Sequence, residues 1–186
     1  MKNIILFASG AGSNVRAILD YFKDKNEIRP VAIVCNNPEA GVKHIAEEEH
    51  IPIIWTDRKH IQSNEFLSQL KDLQPDMIIL AGFLLKIPDE VVKSFPQRII
   101  NIHPALLPKY GGKGMYGHHV HQSVIDNQEK ESGITIHYIN EHYDEGNVII
   151  QAYCNVTSED TPDSLAQKIH KLEHFYFPRA IALLLK

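Results

Sequence analysis

The sequence predicts an α/β protein: one Rossmann-like, mostly parallel sheet flanked by helices, ending in a C-terminal antiparallel strand pair and a long final helix. Two observations predict it. Through the first hundred residues, short apolar runs alternate with segments of helical periodicity, the pattern of parallel strands joined by right-handed crossovers. Further on, Gly133 to Ile139 alternates apolar and polar residues, and Asn147 to Val156 follows after a loop too short for a crossover, so these two pair antiparallel.

The elements follow in order. Asn3 to Ala8 is a continuous apolar run, read as a buried parallel strand. Ser9-Gly10-Ala11-Gly12-Ser13-Asn14 then leads into a helix with Val15, Ile18, Leu19 and Phe22 on one face. Strand, Gly-rich turn and helix form a phosphate cradle, with backbone N–H groups and the helix dipole facing an anion. It is not the dinucleotide fingerprint: the third glycine of that motif would fall on Val15. The next strand, Val31 to Cys35, ends in Asn36-Asn37 and lacks the ribose-binding acid. A mononucleotide-like phosphate fits better.

A helix from about Gly41 to His50 and a short strand, Ile51 to Trp55, come next. Ser63 or Asn64 caps a helix carrying Phe66, Leu67, Leu70 and Leu73. Asp76 to Ala81 is a further apolar strand, and Pro88 to Phe95 a helix. After the central strand, a helix from about His119 to Asn127 buries Val120, Val124 and Ile125. Thr161-Pro162 opens the final helix, with Leu165, Ile169, Leu172 and Tyr176 as its buried stripe and a kink expected at Pro178. No repeat or linker interrupts the chain, so residues 1–186 read as one domain.

Composition narrows the function classes. With 44% hydrophobic and 23% charged residues, the chain is an ordinary soluble globule. Its net charge of −4, without a basic block, argues against nucleic acid as the main partner. No apolar run reaches the roughly 18–20 residues needed to cross a membrane, and no signal peptide is recognisable. Cys35 and Cys154 sit in apolar strand-like segments and read as reduced thiols of a cytoplasmic protein. Although His118, His119 and His121 are clustered, no acidic or Cys ligand stands at a recognised spacing, so no metal is expected.

The chemistry concentrates in Arg98-Ile99-Ile100-Asn101-Ile102-His103-Pro104. Asn101 and His103 alternate with apolar residues and so share one face of a strand. Pro104 ends the pairing, which puts His103 at the strand's carboxyl end, the edge where open parallel sheets bind ligands. An amide and an imidazole side by side suit a carbonyl oxygen that gains negative charge under attack.

Four motifs in chain order, Ser9 to Asn14, Asn101-Ile102-His103-Pro104-Ala105-Leu106-Leu107-Pro108, Asp144-Glu145-Gly146 and Glu173-His174, resemble the phosphoribosylglycinamide formyltransferase family. These are folate-dependent enzymes of purine synthesis. The resemblance spans nearly the whole chain. It implies formyl transfer from 10-formyltetrahydrofolate, a co-substrate used without a metal, to glycinamide ribonucleotide. Gly12, Ser13 and Asn14 would hold the phosphate and Glu173 the ribosyl or glycinamide end. Leu84, Leu85, Lys86 and Ile87 would line the folate pocket through their backbone, facing Asn140, Glu141, His142, Tyr143 and Asp144. A basic residue for the folate's glutamate tail falls at Lys59, with Arg58 beside it as the alternative.

By this likeness residues 1–100 form the phosphate-binding half and residues 101–186 the catalytic and folate-binding half. The protein would act as a monomer or homodimer. Two departures stand out. The family often has Met-Arg-Ile-Leu where this chain has Leu84-Leu85-Lys86-Ile87, and the loop from Lys109 to His118 is longer than in many relatives.

The expected mechanism is direct attack of the amine on the formyl carbon. Asn101 and protonated His103 donate to the oxyanion, while Asp144 raises the His103 pKa and assists proton transfer. His119, His121 and His137 match family positions and read as groups supporting the loop. Two other readings share the chemistry: a formyltransferase acting on another amine, and a 10-formyltetrahydrofolate hydrolase with water as acceptor. Known hydrolases of this kind carry a regulatory domain before the first strand, which here begins at Asn3.

Overall fold

The apolar runs pair side by side. The computed structural model describes all 186 residues. The elements are β1 (Lys2–Phe7), α1 (Ser13–Phe22), β2 (Ile28–Cys35), α2 (Val42–Glu48), β3 (Ile53–Trp55), α3 (Asn64–Asp72), β4 (Met77–Leu80), α4 (Asp89–Ser94), β5 (Ile99–His103), α5 (His118–Asp126), β6 (Glu131–Tyr138), β7 (Val148–Asn155) and α6 (Pro162–Leu184). A single seven-stranded sheet has the order β3-β2-β1-β4-β5-β6-β7. The first five strands in chain order pair in parallel, whereas β6 runs antiparallel to β5 and β7 antiparallel to β6. This is a single α/β domain of the predicted class.

Both sheet faces are covered, which is why the central strands read as unbroken apolar runs. Ile4, Leu6, Ile79 and Ile100 face α1, α2, α5 and α6, where they meet Val15, Val42, Val124 and Phe177. Ile5, Phe7, Ile78 and Ile99 face α3 and α4, packing on Phe66, Leu70, Val91 and Val92. Alternate residues of one strand thus serve opposite cores.

Boundaries differ from the sequence reading for identifiable reasons. β2 begins at Ile28 rather than at Val31, because Arg29 and Pro30 interrupt the apolar run without ending the strand. Pro30, which lacks an N–H, sits where the β1–β2 register shifts. β3 is shorter than read, starting at Ile53. The long final helix, as read, continues past Pro178. Phe177, Ala180 and Ile181 on either side are fully buried, so core packing carries the helix past the lost hydrogen bond.

Candidate active site

A cavity of about 1070 Å³ opens at the carboxyl ends of β1, β4 and β5. This is where the topology of an open α/β sheet directs a ligand. Three chain turns leaving those strands build its walls.

The first is the Gly-rich turn. Gly12 precedes α1 with φ +81°, and a Cβ there would stand 2.9 Å from Val42 and Ile45 of α2. Only glycine satisfies both the left-handed backbone and the close approach. Ser9 ties this turn to the next one. Its hydroxyl donates to Asn36 Oδ1 at 2.5 Å and accepts the Leu84 N–H at 2.9 Å. The segment 84–87 is thereby held against the same cavity. Leu84 is 57% exposed, whereas Ile87 is anchored in the core beside α4.

Asn14, on the first turn of α1, reaches across to α6. Its Nδ2 donates to Glu173 at 3.1 Å, and its Oδ1 is buried without a partner. Glu173 is 6% exposed, and burial pushes its carboxyl up to about 7 against the opposing pull of the Asn14 bond. A buried acid of this kind beside an orphaned acceptor is a place for a ligand's polar groups.

The third wall comes from β5. Cross-strand pairing sets Asn101 opposite His137 and His103 opposite Thr135. Thr135 Oγ1 donates to the Ala105 carbonyl at 2.7 Å and accepts the Leu107 N–H at 3.0 Å, pinning the turn that follows the strand. His103 is 4% exposed. Its Nε2 lies 2.7 Å from the Tyr110 carbonyl oxygen, which only accepts, so Nε2 carries a proton. Nδ1 lies 3.7 Å from Asp144 Oδ2 and is protonated only in the imidazolium. Asp144 is the carboxylate that faces this nitrogen.

His137 is buried and has the opposite arrangement. Its Nδ1 donates to the Tyr138 carbonyl at 2.9 Å, which leaves Nε2 to accept from Asn101 Nδ2 at 3.2 Å. Burial holds its pKa below the ordinary value, although the Tyr138 bond and Asp144 act in the other direction. Asp144 Oδ1 stands 3.7 Å from the same Nε2. Asp144 itself has φ +56°, and its Oδ2 accepts the Gly112 N–H at 2.9 Å. The loop carrying it is tight: a Cβ on Gly146 would sit 1.7 Å from the Tyr138 carbonyl oxygen.

The sequence-derived residues fall as follows. Gly12, Ser13, Asn14 and Glu173 line the cavity. So do Asn101, His103 and Asp144. Leu84, Leu85, Lys86 and Ile87 line it together with Asn140, His142 and Tyr143. The Lys86 ammonium lies 5.9 Å from the Tyr143 ring centre. Glu141 and Lys59 are not on the wall; Arg58 and Asp57 are. The Lys59 N–H instead caps onto Asp57 Oδ1 at 2.9 Å, within the turn that carries Arg58.

Two of the histidines read from the sequence as supporting groups, His137 and His121, take defined places, and His170, Tyr110 and Gly112 were not predicted. His137 contacts Asn101 directly, and the signal was present in the register of two alternating strands. His121 is buried on α5 at the cavity wall, where burial, with His170 and His118 nearby, pushes its pKa down to about 4. His170 of α6 also lines the cavity. Tyr110 and Gly112, backbone partners of His103 and Asp144, carried no sequence signal, because main-chain contacts leave none. No group of three or more His, Cys, Asp or Glu is arranged to hold a metal ion.

Comparison with known proteins agrees with this architecture. A formyl transferase family model matches residues 2–181. A Bacillus subtilis phosphoribosylglycinamide formyltransferase is 36% identical, the match covering 100% of this chain and 95% of that protein. The chloroplastic phosphoribosylglycinamide formyltransferase of Arabidopsis thaliana is 38% identical over 93% of this chain, which spans only 62% of that relative's length. The crystal structure of glycinamide ribonucleotide transformylase 1 from Geobacillus kaustophilus superposes with a TM-score of 0.90 at 33% identity, covering 100% of both chains.

Proposed function

The chain belongs to the formyl transferase family, and from that premise we propose that it transfers the formyl group of 10-formyltetrahydrofolate to the amine of 5-phosphoribosylglycinamide, a step of purine biosynthesis. The observation that carries this reading is the single cavity shared by the Gly12–Asn14 turn, the Asn101–His103–Asp144 group and the 84–87 segment. An anion site, an oxyanion site and room for a flat ring in one cavity are what the two substrates of this reaction need.

In the proposed reaction the ribonucleotide's phosphate lies on the N–H groups of Gly12, Ser13 and Asn14, at the positive end of the α1 dipole. Glu173 takes a hydroxyl or amine of the same substrate. The pterin lies between 84–87 and 140–144, with main-chain groups of 84–87 reading its edge. Lys86 and Ile87 contribute backbone rather than side chain here, and Glu141 shapes the loop from outside. Arg58 or Lys59 meets the glutamate tail, and the position of Arg58 on the wall favours it.

As the amine attacks, charge develops on the formyl oxygen. Asn101 donates one amide proton to it while the other is committed to His137. His103, as imidazolium, donates from Nδ1. One such preorganised donor is worth about 10²–10³ in rate. Asp144 compensates the imidazolium charge and receives the amine's proton directly or through water; the intermediate then collapses as the formyl carbon's bond to folate N10 breaks, and N10 takes up that proton to leave as tetrahydrofolate.

The proposed division of labour crosses residue 100. Residues 1–100 supply the phosphate turn, and residues 101–186 the catalytic groups together with Glu173, within one formyltransferase domain. We read the enzyme as cytoplasmic, a monomer or homodimer, with its two small-molecule substrates as partners and neither nucleic acid nor a membrane among them. The net charge of −4 supports this for nucleic acid, and no helix is long and apolar enough to cross a membrane.

A spectrophotometric assay with 10-formyltetrahydrofolate tests the reading. Deformylation that requires glycinamide ribonucleotide supports it. Deformylation without the ribonucleotide indicates the hydrolase, and turnover only with a different amine indicates a different acceptor.

A further inference from the structure

We infer that Glu129, which lies outside the cavity, is a positioning residue for His103: it clamps Tyr110 in the backbone conformation whose carbonyl fixes the proton on the His103 imidazole. The inference rests on the functional reading above for its kinetic consequence, though not for its structural one.

The Tyr110 carbonyl is the partner of His103 Nε2, at 2.7 Å. Tyr110 reaches that orientation with φ +56°, a left-handed conformation that a bulky residue avoids unless its surroundings hold it there. The restraint is its own side chain. The phenol donates to Glu129 Oε1 at 2.9 Å, while the ring packs against the main core. Lys109, one residue earlier, adds a second tether: its ammonium donates to Glu129 Oε1 at 3.0 Å and to Oε2 at 3.2 Å. Glu129 thus gathers two consecutive side chains of the β5–α5 loop onto one carboxylate. Those bonds hold the carboxyl below its ordinary pKa, so it stays charged.

The carboxylate is itself on fixed ground. Glu129 lies in the turn between α5 and β6, and its N–H donates to the Val124 carbonyl of α5 at 3.2 Å. The loop it holds cannot move without consequence. A Cβ on Gly111 would stand 2.6 Å from Leu107 and 3.3 Å from Asp144, and the Gly112 N–H is bonded to Asp144. Releasing Tyr110 therefore frees the His103 tautomer and loosens Asp144 together. The titratable groups facing His103 are Asp144 and His137, and neither contacts Glu129.

The test uses the substrate-free protein first. Two-bond ¹H–¹⁵N spectra report the tautomer and titration of the His103 ring, assigned by its loss in His103→Ala. The wild type is expected as the Nε2–H tautomer. In Glu129→Ala and in Tyr110→Phe the ring is expected to become a tautomer mixture. Glu129→Gln keeps an acceptor for the phenol and is expected to retain the wild-type pattern, which separates positioning from a loss of fold. In steady-state assays, Glu129→Ala and Tyr110→Phe should each lower kcat about tenfold with KM changed less than about twofold. Because both act through one contact chain, the double variant should be little worse than either single one.

An unchanged His103 tautomer in both single variants would overturn the inference. So would losses that multiply in the double variant. If the wild type fails to formylate glycinamide ribonucleotide, the functional reading falls, while the ring spectra still decide on the clamp.

Discussion

His137 accepts a hydrogen bond from Asn101, with Nε2 and Nδ2 3.2 Å apart across the β5–β6 pair. The direction of that bond is forced. His137 Nδ1 is committed to the Tyr138 carbonyl, so Nε2 keeps its lone pair, and burial keeps the ring from gaining a second proton. The bond fixes which edge of the Asn101 amide faces the cavity.

It follows that His137→Phe should lower kcat by about 10–100-fold through misorientation of Asn101, in the range found when a partner that orients a reacting group is removed. Asn101→Ala, which removes the donor itself, should cost about 10²–10³. Steady-state kinetics of both single variants and the double variant check this. The double variant should resemble Asn101→Ala, since His137 acts through Asn101.

Glu173 makes a stability prediction whose sign follows from linkage. Its carboxyl pKa is raised from 4.5 to about 7 in the folded state by burial. The folded protein therefore binds this proton more tightly than the unfolded chain does. Below about pH 4.5 the group is neutral in both states and carries no penalty. Between pH 4.5 and 7 the penalty grows, and above pH 7 it is complete, on the order of 3 kcal/mol. Glu173→Gln removes the charge and adds a donor near the unpartnered Asn14 Oδ1. Urea melts should show the variant more stable than wild type at pH 8, the gap closing as pH falls toward 4.5. His121 also titrates in this range, but equally in both proteins, so it cancels. The same substitution should raise KM for the ribonucleotide.

The glutamate-tail contact separates Arg58 from Lys59. Arg58 lines the cavity and Lys59 does not. Arg58→Ala should raise KM for the folate donor about 3–30-fold, less at high salt because the pairing is exposed. Lys59→Ala should leave it within about twofold. Titrating donor concentration at two ionic strengths decides between them.

Gly12→Ala should impair the phosphate turn. The substitution meets φ +81° and 2.9 Å contacts with Val42 and Ile45 at once. A loss of roughly 2–4 kcal/mol in stability is expected, together with a raised KM for the ribonucleotide and a smaller change in KM for the folate. Thermal melts and initial rates measure both.

The fold was legible because a parallel strand buried on both faces leaves an unmistakable apolar run, as in Ile4 to Phe7 and Met77 to Leu80. Lengths were less legible where polar residues continue a strand, as at Arg29 and Pro30. The site divides in the same way. Asn101, His103 and the Gly-rich turn announce themselves by spacing, whereas Asp144 and Glu173 looked like ordinary turn and helix residues until the resemblance singled them out.

The place of Arg58 rather than Lys59 on the cavity wall, the contact of His137 with Asn101 and the backbone partners Tyr110 and Gly112 were hidden. Each depends on which way a turn points or on a main-chain atom, and side-chain identity records neither.

The most direct measurement is the rate of folate deformylation with and without glycinamide ribonucleotide, in wild type and in His103→Ala. Turnover that requires the ribonucleotide and falls by at least about 10² in His103→Ala is the predicted result. Ribonucleotide-dependent turnover that persists in His103→Ala would contradict the assignment of His103 as the oxyanion's cationic donor, and turnover indifferent to the ribonucleotide would contradict the transfer reaction itself.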